Sequence, residues 1–334
     1  MTENIINAMN DLGYGSYHVF RDESLDLTAI IALHSYDRGP AIGGCRCVTY
    51  DSFNSAVMDA LRLGEAMSRK SAIHGLQHGG GKSVIIRPKV IANREKFFRR
   101  FGEFVHALNG NYVTAVDSGT TPTDMTYIAQ STPHVLNYPC SSVTALGVFK
   151  SYLAATSYLF KDNSLPKPSI LVQGLGSVGY ELCSLLNTLN VNLLVCDIDT
   201  KLTKRAESDF NARIIPIEQL RNTVSDVFMP CALGGVLDEE FCKHIQTKLI
   251  VGGANNQLTN PKNCYEILKA RRIRWVPDYL VNGGGLICAA SHYQGFSQAF
   301  IDAKLSKLAD STEKFLATED NTDLKLDEIL YELS

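Results

Sequence analysis

An α/β protein of two domains around a cleft, the second of them doubly wound, is the fold class the sequence predicts. Three observations predict it. Short apolar, β-branched runs alternate with stretches of helical periodicity in the first 140 residues. That pattern breaks near Cys140, and a helical run from Val143 leads into a polar stretch with two prolines, Lys161–Pro168. A new apolar run, Ser169–Gln173, then opens directly into a turn holding Gly174, Gly176 and Gly179. With 334 residues, 45% of them apolar, the chain is long enough to bury two cores.

In the first part, Ala29–Leu33, Ser83–Ile86 and Tyr112–Ala115 read as strands, and residues 53 to 69 and 93 to 108 as amphipathic helices. Ala56, Ala60, Leu61, Leu63 and Met67 carry the helical spacing of the first of these. Between that helix and the next strand lies KSAIHGLQHGGGK, residues 70 to 82. A glycine-rich turn ending in lysine can cradle phosphate, but that use needs GxxxxGK[ST] with a strand before it and a helix after it. Here the order is reversed. Gly79–Gly81 therefore read as a turn that delivers a helix into a strand, with Lys82 at the strand's mouth and His78 a solvated turn histidine. Cys45 and Cys47 read as small residues on one strand face, because no second pair or histidine follows at zinc-binding spacing, and no metal is expected.

The second part opens with the most specific local signal. A strand running into GxGxxG and then into a helix is the dinucleotide-binding arrangement of a Rossmann domain. The glycines have distinct roles there. Gly174 makes the tight turn, Gly176 lets a pyrophosphate approach the backbone, and Gly179 lets the helix pack on the strand. Ser177 and Val178, in the first helical turn, add backbone N–H groups and the positive end of the helix dipole. The next run, Asn192–Asp197, ends in an acid where the ribose hydroxyls of NAD would sit. A carboxylate there repels a 2′-phosphate, which favours NAD over NADP. Further apolar runs ending in small or amide residues begin at Asp226, Leu249 and Trp275, as the second half of a doubly wound sheet demands. Ligands bind outside the carboxyl ends of such strands, which makes Cys231, Ala232, Asn255 and Asn282 candidates for lining the cofactor. The expected division is residues 1–138 for substrate, catalysis and oligomerisation, 139–295 for the dinucleotide, and 296–334 for C-terminal helices that complete the cleft.

Composition excludes several functions. A net charge of −3 gives no electrostatic case for nucleic acid. No apolar run approaches a membrane span, and the polar opening MTENIINAMNDLG lacks the pattern of a secretory leader. Nine cysteines, scattered and odd in number, fit a reducing compartment, so a cytoplasmic location is expected.

The runs GPAIGGCR (39 to 46), ALRLGEAMSRKSAIHGLQHGGGKSVII (60 to 86), VTAVDSGTTPTDM (113 to 125), VTALGV (143 to 148), VQGLGSVG (172 to 179), MPCALGGVL (229 to 237), GGANNQL (252 to 258) and VPDYLVNGGGL (276 to 286) together resemble the glutamate/leucine/phenylalanine/valine dehydrogenase superfamily. Within it the chain is most similar to the leucine dehydrogenase branch. The resemblance implies NAD-dependent, reversible oxidative deamination of an apolar L-amino acid to the 2-oxo acid and ammonium. It implies that Lys70 holds the substrate carboxylate, that Lys82 does acid/base work at the α-carbon, and that Asp117 passes protons as the imine forms and hydrolyses. Thr144 would meet the nicotinamide carboxamide, and Asn282 the substrate or the nicotinamide. The side-chain pocket would be formed by Ile42, Ala115, Leu305 and Leu308, all apolar, with Gly43 beside them.

The chain departs from the family at several places. Val116 stands where relatives have an acidic neighbour of Asp117, the segment Leu136–Ser142 is shorter, and the C-terminus ends at Ser334 without a basic helical tail. A homodimer is therefore expected before a larger homo-oligomer. Two other readings remain open at this point: a related oxidoreductase or condensing enzyme acting on aromatic 2-oxo acids in a biosynthetic pathway, and a non-catalytic NAD-binding homologue.

Overall fold

The computed structural model describes residues 5–14, 16–160 and 166–321; part of the Pro-containing stretch and the C-terminal residues through Ser334 lie outside the described residues. The chain divides into two compact units, Met1–Tyr138 with His292–Gln294, and Pro139–Ser291 with Gly295–Ser334.

The first unit runs α1 (Ile5–Leu12), β1 (Tyr17–Asp22), β2 (Leu27–Leu33), β3 (Ala41–Val48), α2 (Phe53–Ile73), β4 (Gly79–Ile86), α3 (Arg94–His106), β5 (Tyr112–Val116), α4 (Pro122–Ala129) and β6 (Val135–Leu136). Its strands form one mixed sheet in the order β1-β2-β4-β3-β5-β6. The pairs from β1 to β4 are antiparallel and those from β4 to β6 parallel. Alternation along β2 feeds two cores: Leu27, Ala29, Ile31 and Leu33 pack with Phe97, Phe98 and Phe101 of α3, while Ile30 and Ala32 pack with Ala56, Val57, Ala60 and Leu61 of α2. A strand buried on both faces loses the polar half of its alternation, which is why this run is apolar but for the half-buried Thr28.

Helix α2 begins at Ser52, whose hydroxyl accepts from the Ser55 N–H in a reciprocal capping box. It extends to Ile73, beyond the expected end at residue 69, and so carries Lys70 in its last turn. The three glycines depart further from expectation. Gly79–Gly81 are not a turn; they are the first residues of β4, and Lys82 stands inside the strand opposite Ala32 of β2. Steric room explains their identity. A Cβ on Gly79 would lie 1.5 Å from the Ser35 carbonyl oxygen, and one on Gly80 2.0 Å from the Ser68 backbone nitrogen on α2. The strand passes so near the helix and the preceding loop that only glycine fits.

The second unit runs α5 (Ser141–Leu159), β7 (Ser169–Gln173), α6 (Ser177–Leu186), β8 (Asn192–Cys196), α7 (Thr200–Phe210), β9 (Arg213–Ile214), β10 (Val227–Pro230), α8 (Glu239–His244), β11 (Leu249–Ile250), α9 (Pro261–Ala270), β12 (Arg274–Trp275), α10 (Asp278–Val281), α11 (Gly284–Gln294) and α12 (Gln298–Asn321), α11 ending in the first unit. All its strand pairs are parallel, in the order β12-β11-β10-β7-β8-β9. This is the doubly wound order, and it reverses direction between β7 and β10, where such sheets bind ligands. Leu171, Leu194, Phe228, Ile250 and Trp275 pack on one face with Phe241 of α8 and Leu268 of α9.

Gly80→Ala is expected to lower stability by about 1–3 kcal/mol, because the added methyl meets backbone that cannot move alone. Gly176→Ala, whose Cβ would meet nothing within 4 Å at an ordinary φ of −63°, should leave the urea midpoint unchanged. Equal midpoints for Gly80→Ala and wild type would refute the close approach of β4 to α2.

Candidate active site

Strand alternation gathers the charged groups of the first unit. Ile42, Gly44 and Arg46 of β3 share a face with Lys82 of β4 and Ala115 of β5, and α2 packs on that face. Asp117 follows β5 directly. Its carboxylate pairs with the Lys82 ammonium through Oδ2, and its Oδ1 lies 3.5 Å from Arg46 Nε and accepts the Ser118 N–H. The Asp117 N–H donates to Thr120 Oγ1, at 2.9 Å, which locks the turn. Gly44 makes room for the carboxylate, since a Cβ there would lie 2.8 Å from both Cβ and Oδ2 of Asp117.

Lys82 is 5% exposed. Burial pushes its ammonium down to about 7, with the Arg46 guanidinium adding like-charge repulsion and Lys70 a smaller amount, against opposing effects of Asp59 and Cys45. The Asp117 carboxylate in contact with it also favours the charged form. The outcome is a lysine whose ammonium is less favoured than in water, held in contact with a carboxylate.

Arg46 is itself held. Its Nη1 donates to Asp59 Oδ2 on α2 at 2.9 Å, and the Tyr50 hydroxyl donates to the same oxygen. Burial and the Asp59 bond push Tyr50 up, so it remains a donor. The run GGCR contains Arg46, yet sequence reasoning assigns no function to it or to Asp59. The signal is nonetheless present: a charged residue alternating with buried Cys45 and Cys47 must either leave the sheet or find a partner inside it.

The remaining expectations for this unit divide. Lys70 is half-buried on α2 and close enough to act electrostatically on Lys82. Ile42 is buried and Ala115 half-buried on the same face. The Gly43 carbonyl accepts the Tyr112 hydroxyl at 2.8 Å, and Gly44 is the glycine beside the Asp117 carboxylate. His78 is a correction: it is buried, 2% exposed, with Nδ1 2.8 Å from the Gly79 carbonyl, and burial pushes its pKa down. The loop folds under α2, where Ser71 donates to the His78 carbonyl at 2.6 Å, instead of facing water.

In the second unit the three glycines differ in what surrounds them. Gly174 has φ +93° and faces Ala232 so closely that a Cβ would lie 2.5 Å from its nitrogen. Gly179 abuts the Gly174 carbonyl, where a Cβ would lie at 1.9 Å. Gly176 faces open space, and no side chain caps the start of α6 at Gly176, Ser177 and Val178. Asp197, just past β8, accepts the Leu175 N–H at 2.6 Å and the Asp199 N–H at 2.8 Å. A carboxylate offers roughly four acceptor positions, so capacity remains for two ribose hydroxyls. The residues present fit a dinucleotide.

Around them, Asn282 is buried and braces the loop after β11, donating to Asn255 Oδ1 at 2.8 Å and to the Gly253 carbonyl at 3.3 Å. Asn255 is exposed. The Thr144 hydroxyl donates back to the Cys140 carbonyl at 2.9 Å, and a Cβ on Gly285 would lie 2.8 Å from it. The Cys231 N–H donates to the Gln173 carbonyl at 2.7 Å, which joins β10 to β7 at the switch point. Leu305 and Leu308 are fully buried, with methyl groups near Gly147 of α5, so they form part of the α5–α12 packing. Among the described residues there is no His/Cys/Asp/Glu cluster that could hold a metal.

Residues 17–134 match the family model described as Glu/Leu/Phe/Val dehydrogenase, dimerisation domain, and residues 195–309 match Glutamate/Leucine/Phenylalanine/Valine dehydrogenase. The chain belongs to the Glu/Leu/Phe/Val dehydrogenase family. It is 38% identical to the leucine dehydrogenase of Bacillus subtilis, covering 93% of this chain and 88% of that one. It is 37% identical to that of Geobacillus stearothermophilus, covering 94% and 87%. The crystal structure of L-tryptophan dehydrogenase from Nostoc punctiforme shares the fold with a TM-score of 0.84, at 30% identity, over 98% of this chain and 96% of that one. The family comprises NAD(P)-dependent amino acid dehydrogenases, oxidoreductases acting on the CH–NH2 group.

Proposed function

We propose that the protein catalyses the NAD-dependent oxidative deamination of an apolar L-amino acid, reversibly, with Lys82 as the acid/base group. The observation that carries this reading is the pair formed by buried Lys82 and half-buried Asp117 on a sheet face with apolar Ile42 and Ala115. In the reaction an L-amino acid, NAD⁺ and water give the 2-oxo acid, ammonium, NADH and a proton. The nicotinamide, when bound, supplies the acceptor for the hydride that leaves the α-carbon. Lys70 holds the substrate carboxylate as a charged partner. Neutral Lys82 takes a proton from the water that attacks the iminium carbon, and Asp117 carries a proton to the departing amine. Collapse of the carbinolamine then releases the oxo acid and ammonia, the hydroxyl proton leaving through the same acid/base pair and the ammonia taking up a proton as ammonium. Gly174, Gly176 and Gly179 with the start of α6 hold the pyrophosphate, and Asp197 holds the adenosine ribose, which favours NAD over NADP.

The substrate pocket belongs with aliphatic side chains on the strength of Ile42 and Ala115, and the likeness to leucine dehydrogenases supports it. The likeness to a tryptophan dehydrogenase keeps an aromatic amino acid in the panel. We assign a homodimer or larger homo-oligomer, supported by the dimerisation-domain match. No helix among the described residues is long and apolar enough to cross a membrane, and we place the enzyme in the cytoplasm.

The deciding experiment is NADH absorbance with a panel of L-amino acids; no turnover on any apolar or aromatic member refutes the reading. Lys82→Ala should lower kcat by about 10²- to 10⁴-fold, the usual contribution of a positioned acid/base group. The rise in melting temperature on adding NAD should persist in that variant. Because a base must be neutral, and burial lowers Lys82 to about 7, kcat/KM for deamination should rise with pH through that region. A flat profile across that region would count against Lys82.

Two further variants test binding. Lys70→Ala should raise KM for the amino acid more than KM for NAD, and an unchanged amino acid KM contradicts its role. Asp197→Ser should narrow the NAD preference mainly by weakening NAD, since Lys201 and Lys204 lie exposed just beyond it. Wild type that used NADP as well as NAD would overturn the placement of Asp197.

A further inference from the structure

Arg46 is an unusual residue to find within a sheet. It sits on β3 between the buried thiols of Cys45 and Cys47, with its side chain 23% exposed. Two carboxylates flank it. Asp59 of α2 takes a hydrogen bond from Nη1, whereas the Nε facing Asp117 is buried without a hydrogen-bond partner, 3.5 Å from Oδ1. The guanidinium is therefore fastened to the helix and faces Asp117 by charge alone. Lys82 holds the other oxygen of the same carboxylate. Asp117 is thus suspended between two cations, one that titrates and one that does not.

We infer that Arg46, anchored by Asp59, is a positioning residue that fixes the Asp117 carboxylate toward Lys82 and biases Lys82 toward giving up its proton. The inference rests on the reading of Lys82 as the acid/base group. An arginine stays charged throughout the working range, so it supplies a constant repulsion to a neighbouring ammonium, and Asp59 offsets part of it. Arg46 is the largest charge effect lowering Lys82, and Asp59 the next, in the opposite sense.

The other groups around Lys82 do not duplicate this effect. Lys70 acts in the same sense more weakly. Burial holds Cys45 well above its usual range, so it remains a thiol. Tyr14, reached across Gly64, donates to the Leu61 carbonyl at 2.7 Å and is likewise pushed up by burial. Glu65, further along α2 from Asp59, is paired with Arg69. Arg46 and Asp59 form a pair of opposite charges whose removal should shift Lys82 in opposite directions.

Two readouts separate this inference from the catalytic reading. Titration of the Lys82 13Cε resonance in selectively labelled protein, assigned by its loss in Lys82→Ala, reports the lysine whether or not it is the base. Arg46→Gln should move that midpoint up by about one pH unit or more, and Asp59→Asn should move it down. Arg46→Lys, which keeps the charge, should restore the wild-type midpoint while kcat stays reduced, because a single ammonium cannot bond Asp59 and also lie against Asp117 as the spread guanidinium charge does. The acid limb of kcat/KM should follow the same shifts. Midpoints that stay put, or move the same way in Arg46→Gln and Asp59→Asn, overturn the inference. Full activity in Lys82→Ala overturns the catalytic reading and leaves the NMR shifts to stand or fall by themselves. Urea midpoints close to wild type in Asp59→Asn and Arg46→Lys keep the comparison among folded proteins.

Discussion

A lysine has been taken out of water against a half-buried aspartate on one face of the first sheet, and much of that unit is arranged to allow it. Desolvating such a pair costs several kcal/mol per ion, and good geometry is needed to recover it. Here the geometry is held by backbone as much as by side chains. Gly44 clears space for Asp117, Thr120 pins its turn, and Gly80 lets α2 lie directly against the strand that carries Lys82. The opposite faces of the same strands are packed with Phe97, Phe98 and Phe101, which leaves β3, β4 and β5 little freedom to drift. Desolvated ion pairs are weak contributors to stability compared with apolar residues of similar volume, so stability alone gives little reason for this one, and the proposed acid/base role supplies another.

The second unit reaches its binding geometry by a different route. Parallel strands of the Rossmann order converge their carboxyl ends at the switch between β7 and β10, and the site is made of turns and helix starts. The three glycines of the motif are not interchangeable there. Gly174 needs its positive φ, Gly179 needs close contact with the strand, and only Gly176 faces open space, where the proposed pyrophosphate would lie. Asp197 has a double part. It ties down the glycine turn through Leu175 N–H and still presents its remaining lone pairs outward. A substitution there would disturb the loop as well as the proposed ribose contact, and on that reading cofactor preference and cofactor affinity should change together.

Sequence reading captures what depends on periodicity and local motif. Helices α2 and α3, the strand of the dinucleotide turn and Asp197 at the end of the next strand can be placed because apolar spacing and the glycine pattern are local signals. It fails where tertiary contact decides. Three successive glycines suggest a turn because glycine is permissive, yet here they are strand residues selected by lack of space on both sides. His78 looks like a polar loop residue, but the chain between α2 and β4 folds inward and buries it. Leu305 and Leu308 can be recognised as apolar but not located, and their neighbour proves to be Gly147, on a helix far earlier in the chain. Arg46 is visible in the sequence and uninterpretable there, because its meaning lies in partners contributed by α2 and by the turn after β5.

The two lysines that bracket KSAIHGLQHGGGK differ for a physical reason. Lys70 lies in the last turn of a long helix, where the dipole favours a positive charge, and it is partly open to water. Lys82 lies within a strand, sealed beneath that helix and beside an arginine. One setting keeps a cation, as a carboxylate partner requires; the other loosens a proton, as an acid/base group requires. The residues between them reverse the chain from helix to strand and then bring the strand back under the helix, which is possible only because Gly79, Gly80 and Gly81 add no bulk. By letting the strand come close, the glycines dehydrate one lysine while leaving the other at the rim, and on the proposed reading that difference in solvent is what suits Lys82 to a proton and Lys70 to a carboxylate.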